Sequence, residues 1–152
     1  MTVYKMIASV AGIGYVGKGG GTVAAIFYCI IWWLLPVGLL YTGWQAVIVL
    51  MITILGLWTS NKADASWGKD SSKVVIDEVA GMAITLLYLP HNIWYVMGGL
   101  AAFRFFDIVK PLGIKHMENF PKGWGVMADD VLAGIYSFFL MQAIVFGVQN
   151  LL

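Results

Sequence analysis

WQAVIVLMITILGLWTS, Trp44 to Ser60, decides the fold class. The run carries no Asp, Glu, Lys or Arg. It approaches the roughly 20 residues, with a range of about 17 to 25, that a helix needs to cross a bilayer. The whole chain shares its character. It is 61% hydrophobic and 11% charged, with a mean hydropathy of +0.84. A soluble domain carries about 25% charged residues. The expectation is an all-α, polytopic membrane helical bundle. A length of 152 residues argues for a single domain, 1-152.

Four further hydrophobic segments flank this one: Thr22 to about Tyr41, Val74 to Leu89, Asn92 to Val109, and about Val126 to Leu151. Pro36 kinks or breaks the first of these. Pro90 stops Val74–Leu89, and Pro111 stops Asn92–Val109. The Val74–Leu89 segment is short for a span. Val3 to Ala11 reads as a short interfacial helix. The N-terminus has no long apolar core ending in a cleavage site, so it does not read as a signal peptide.

The charges are unevenly placed. The connections Pro36–Gly43 and Pro90–Asn92 have none. The N-terminus holds Lys5 and Lys18; Asn61–Lys73 holds Lys62, Asp64, Lys69, Asp70 and Lys73; Lys110–Gly125 holds Lys110, Lys115, Glu118 and Lys122. If five segments alternate, these regions share one side, which the positive-inside rule makes the cytoplasm. The net charge of +1 leaves no basic excess for nucleic acid. Cys29, the single cysteine, cannot form a disulfide within the chain, and a thiol in hydrocarbon stays protonated.

Charges inside the segments carry the chemistry. Asp77 and Glu78 open one segment, and Asp129 and Asp130 open another. Arg104 and Asp107 close a third, in FRFFDIVKP, Phe103 to Pro111. In the alternating topology all lie at one depth, near the cytoplasmic interface. Acids there turn into the bundle or a wet cavity. One arginine cannot neutralise five carboxylates, but a divalent cation can. Arg104 and Asp107 share a helix face at i,i+3, and Lys110 reaches in from the same face. The plain alternative is a set of interfacial ion pairs with snorkelling side chains.

IDEVAGM (Ile76–Met82) and ADDVLAGI (Ala128–Ile135) begin alike, with Gly81 and Gly134 one turn beyond the acids. Small residues there let helices approach closely, so acids from different helices could share a metal. Adjacent acids diverge by about 100° on a helix; the plain alternative is that one of each pair is a helix N-terminal charge. Oxygen ligands suit Mg²⁺ first, with Mn²⁺ or Ca²⁺ after it. His91 and His116 fall on opposite sides and form no joint site. GIGYVGKGGGT, Gly12 to Thr22, could present backbone N–H groups to a phosphate at a helix start, although it is not a Walker A loop. Carboxylates, a hard cation, Arg104, Lys110 and a glycine loop at a membrane boundary suit a lipid phosphate ester. They point to a phosphotransferase or a phosphatase without choosing between them.

GIGYVGKGGGT, DSSKVVIDEVAGM (Asp70–Met82), FRFFDIVKPLGI (Phe103–Ile114) and KGWGVMADDVLAGIYS (Lys122–Ser137) together resemble the phosphatidylglycerophosphatase A family. The chain departs from that pattern at Gly20, where the family has proline, and at Ala24. The resemblance implies an all-α bundle in the bacterial inner membrane. It implies Mg²⁺-dependent hydrolysis of phosphatidylglycerophosphate, a phospholipid substrate in the bilayer, to phosphatidylglycerol and phosphate, with one or two ions. Asp77, Glu78, Asp129 and Asp130 match the family's acids and are the metal-ligand candidates. Asp107 is a further ligand or the base orienting water, so Asp107, Asp77 and Asp130 are the catalytic candidates. Arg104 and Lys110 would clamp the phosphate, and Lys18 and Thr22 would touch it. Asp70 and Asp64 would stand behind the ligands. Attack by metal-activated water is the favoured route, and an aspartyl-phosphate intermediate stays open.

Rival readings are a phospho-histidine lipid phosphatase, a phosphatidyltransferase, and a transporter or channel subunit with a carboxylate cation site. The first needs a histidine pair, and the second needs a DxxDGxxAR pattern, which this chain lacks. Transport would predict acids near midplane and a polar path across the bundle.

Overall fold

The computed structural model describes residues 2–151, and all regular structure among them is helical. The elements are α1 (Val3–Ala8), a 3₁₀ turn (Ile13–Val16), α2 (Gly20–Leu34), α3 (Val37–Leu40), α4 (Gly43–Trp67), α5 (Ile76–Thr85), α6 (Ile93–Val109), α7 (Ile114–Met117) and α8 (Gly123–Leu151). The all-helical expectation holds, and proline sets several boundaries. Leu35, before Pro36, is extended at φ −67° and ψ 144°, which ends α2. Asn92 caps α6, its Oδ1 accepting from the Trp94 N–H at 2.9 Å. Lys110 ends α6 in a left-handed conformation, with Pro111 next.

α5 is the hub, packed against α2, α4, α6 and α8. It is only 10 residues long, about 15 Å at 1.5 Å per residue. Most of it is buried, from Ile76 and Asp77 through Met82 to Thr85. Around it, the outward faces are apolar. Ile30 and Leu34 on α2, Leu50 and Ile54 on α4, Met97 and Ile108 on α6, and Phe139 and Phe146 on α8 are all exposed. Asp77, Asp129, Asp130, Gln45, Thr59 and Ser137 lie inside. Apolar outside and polar inside is the distribution of a bundle solvated by lipid. Two helices, α4 at 25 residues and α8 at 29, are long and apolar enough to cross a membrane.

Three boundaries differ from the sequence expectation. The connection expected at Asn61–Lys73 is helical as far as Trp67, because nothing in Asn61–Trp67 breaks a helix before Gly68, whose φ is +88°. Lys62 and Asp64 therefore stand on α4. The segment expected to run to Leu89 is α-helical only to Thr85. Its last turns are closed by other means: Gln45 Nε2 donates to the Leu86 carbonyl at 3.2 Å, the Tyr88 N–H donates to Gln45 Oε1 at 3.0 Å, and Gln142 Nε2 donates to the Leu87 carbonyl at 2.9 Å. Irregular backbone inside an apolar bundle needs such partners. At the N-terminus, α1 stops at Ala8 and Val10, Ala11 and Gly12 turn left-handed. α1 packs on α4, with Tyr4 and Ser66 hydroxyls 2.6 Å apart.

α5 and α8 cross at their glycines. A Cβ on Gly134 would overlap the Gly81 backbone, and one on Gly81 would sit 2.6 Å from the Asp130 carbonyl oxygen. The close approach expected from IDEVAGM and ADDVLAGI is present, one turn from the acids.

Candidate active site

Three helix ends converge beside that crossing. The start of α5 brings Asp77 and Glu78, the end of α6 brings Arg104, Asp107 and Lys110, and the second turn of α8 brings Asp129 and Asp130. One oxygen from each of Glu78, Asp107 and Asp130 falls within 4.8 Å of the other two. That spacing lets one cation touch all three, and the donors are oxygen only, as a hard divalent cation requires. Asp77 and Asp129, expected among the ligands, are outside this trio. They line the neighbouring cavity instead, about 310 Å³ in volume, with Asp70, Ser71, Lys110, Glu118 and Gly125. A volume near 300 Å³ is at the small end for ligand pockets, enough for a phosphate and part of a headgroup.

Two cations hold the acids in place. Arg104 Nη1 donates to Glu78 Oε2 and forms an ion pair with Asp107 Oδ2 at 2.6 Å. Lys110 Nζ donates to Asp129 Oδ2 at 2.5 Å and to Glu118 Oε1 at 2.6 Å. The Asp130 N–H donates to Asp129 Oδ1 at 3.0 Å. Asp77 Oδ1 and Arg104 Nε are buried and have no partner among the described residues. Asp77, Glu78, Asp107, Asp129 and Asp130 against Arg104 and Lys110 leave three negative charges uncompensated if all ionise (five minus two). A partly buried cluster does not sustain that without a further cation or bound protons.

At the cavity mouth the balance is clearer. Burial opposes the charge on Lys110, yet its hydrogen bonds to Asp129 and Glu118 outweigh burial and raise its pKa above the ordinary lysine value. The hydrogen bond from Lys110 in turn holds the Glu118 carboxyl below the ordinary carboxylate range.

The remaining expected residues are scattered. Asp70 is exposed, left-handed at φ 55°, and on the cavity rim. Asp64 lies in a different cavity, about 360 Å³, with Asn61, Ala65, Lys69 and Lys122. Lys18 is exposed and Thr22 half-buried, and neither lines the acid cavity. The glycine loop meets the site in another way. A Cβ on Gly21 would overlap the Glu78 carboxylate, so the start of α2 backs directly onto that acid. Glu118, Ser71 and Ser72 line the cavity without having stood out in the sequence. They are loop residues with no periodicity to reveal which way they face.

What the helix ends bring together is a group of carboxylates that could hold a cation, with two basic side chains paired to the acids. Comparison with known proteins shows the family in which such a site stands. The family model for Phosphatidylglycerophosphatase A matches residues 6–145. The chain belongs to that family, and it is a lipid phosphatase. This sets the transporter reading aside. Among curated relatives, a Bacteroides thetaiotaomicron protein provisionally named phosphatidylinositol-3-phosphatase is 49% identical over 82% of this chain and 80% of its own length. Phosphatidylglycerophosphatase A of Haemophilus influenzae is 39% identical over 60% of this chain and 58% of its own. The Escherichia coli enzyme of the same name is 34% identical over 77% of this chain and 67% of its own. No solved structure matches.

Proposed function

We propose that the chain hydrolyses the terminal phosphomonoester of phosphatidylglycerophosphate, giving phosphatidylglycerol and phosphate, with Mg²⁺ held by Glu78, Asp107 and Asp130. The carrying observation is the trio of carboxylate oxygens within 4.8 Å, drawn from three helices beside a polar cavity. When bound, Mg²⁺ acidifies water and stabilises charge on phosphoryl oxygens. The chain's own residues do the rest. Lys110 and Arg104 orient the non-bridging oxygens. Asp77 lines the cavity with Oδ1 unpartnered, which suits it to take the proton of the attacking water. The apolar outer faces keep the acyl chains in the bilayer while the headgroup enters the cavity.

The proposal includes the bacterial inner membrane, five membrane segments and a cytoplasmic site. Lys5, Lys18, Lys62, Lys69, Lys73, Lys115 and Lys122 all flank the acid end, which supports that orientation through the positive-inside rule.

The 49% identity to the Bacteroides protein favours a second reading, in which the phosphomonoester sits on an inositol ring. One experiment separates the two. Phosphate release by purified protein in detergent is measured on phosphatidylglycerophosphate and on phosphatidylinositol 3-phosphate across a Mg²⁺ titration, with Asp77→Asn and Asp130→Asn alongside. Mg²⁺-dependent release from the first lipid, abolished by both substitutions, is expected. Faster release from the inositol lipid would move the assignment to the second reading. No release from either by folded protein would end both.

A further inference from the structure

Arg104 grips two of the three carboxylates that could hold a metal, and it does so through one nitrogen. Nη1 donates to Glu78 and lies 2.6 Å from Asp107 Oδ2 in an ion pair, while Nε of the same guanidinium is buried without a partner among the described residues. A guanidinium carries five N–H donors in a flat fork suited to paired oxygens. Here two acids crowd one prong and a buried donor goes unused, an arrangement that wastes hydrogen-bonding capacity. Glu78 is backed by Gly21, where even a methyl group would overlap it. Asp107 is tied to α6 one turn from Arg104. Of the three side chains, that of Arg104 is the longest and has the most rotatable bonds.

We infer that Arg104 is the resident counter-ion of the metal trio: a divalent cation competes with it for Glu78 and Asp107, and the released guanidinium then takes the phosphate. Cation binding thus precedes phosphate binding. The phosphate half of this rests on the phosphatase reading above; the competition concerns only side chains of this chain. Before loading, Arg104 holds the trio together against its own repulsion. After loading, the fork, including Nε, is free for a phosphoryl oxygen pair. Cation and phosphate are then linked through Arg104, and each raises the affinity for the other.

The test needs no lipid. Mn²⁺ is the probe, its free concentration read by electron paramagnetic resonance, with the full chain in detergent. Arg104→Gln is expected to bind Mn²⁺ about tenfold more tightly than wild type, because a competing charge a few ångströms away has gone. Arg104→Lys, which keeps the charge, should stay within about threefold of wild type. Mn²⁺ should also raise the melting temperature of Arg104→Gln more than that of wild type. At saturating Mn²⁺, both variants should bind inorganic phosphate more weakly than wild type. Equal or weaker Mn²⁺ binding by Arg104→Gln would overturn the inference. So would a variant that stays unfolded at saturating Mn²⁺, since the cation would then not replace the arginine. If wild type hydrolyses lipid phosphate and the competition fails, the inference falls and the function stands. If the competition holds and no lipid phosphate is cleaved, the function falls and the cation exchange stands.

Discussion

The two ends of α5 solve the same problem in opposite ways. Both leave polar groups inside an apolar bundle. At the far end, Leu86, Leu87 and Tyr88 expose backbone that Gln45 and Gln142 satisfy with neutral hydrogen bonds. At the near end, Asp77 and Glu78 meet three more acids, with Arg104 and Lys110 too few to balance them. Asp77 Oδ1 and Arg104 Nε are left over, and a cavity opens beside Asp77. A satisfied polar end adds stability and nothing else. A polar end with unmet demands is prepared for something that arrives from outside.

This contrast can be broken at either end. The largest effect is expected from Asp130→Asn. Activity should fall about a thousandfold or more, as for loss of a group that acts at the transition state. Stability without divalent cation should hold or rise, since one like charge leaves the cluster. A melting temperature well below wild type, with activity per folded molecule intact, would reverse the roles assigned to the two ends. Gln45→Ala should do the opposite. It strands the Leu86 carbonyl and the Tyr88 N–H, at about 2 kcal/mol. Folded protein should keep near-normal phosphate release, and denaturation in detergent reads the loss.

The smallest effect sharpens the boundary of the site. Glu118 is held below the ordinary carboxylate value by Lys110, and its side chain is 46% exposed. A lowered pKa adds stability that is present above the unfolded value of 4.5 and is lost as pH falls through the folded value. Glu118→Gln should therefore lower the melting temperature slightly near neutral pH and leave it unchanged well below pH 4.5. Solvent screening limits the difference to about a few tenths of a kcal/mol. A large loss would mean that Lys110 depends on Glu118 to stay in the cavity.

The acid end was legible because charge is conspicuous in an apolar chain. Asp77, Glu78, Asp107, Asp129 and Asp130 stand out wherever they fall, and helical spacing brings them to one depth. Their division was not legible. Which of two adjacent acids joins the trio depends on helix rotation, which the crossing at Gly81 and Gly134 sets. Asp64 shows the same limit: the unbroken helix through Trp67 carries it to another cavity. The glutamine end was silent for a different reason. Gln45 and Gln142 have no charge and no recurring spacing. Their partners are backbone groups that become needy only because α5 stops at Thr85.

α5 and α8 touch backbone to backbone, while α6 meets them through side chains, Phe103 over Gly81 and Met141 against Gly98. The separation of Glu78 from Asp130 is thus gauged by two hydrogens that stand where methyl groups would otherwise be. The carboxylates could hold the cation, but the caliper that spaces them lies one helical turn deeper, in residues with no chemistry at all.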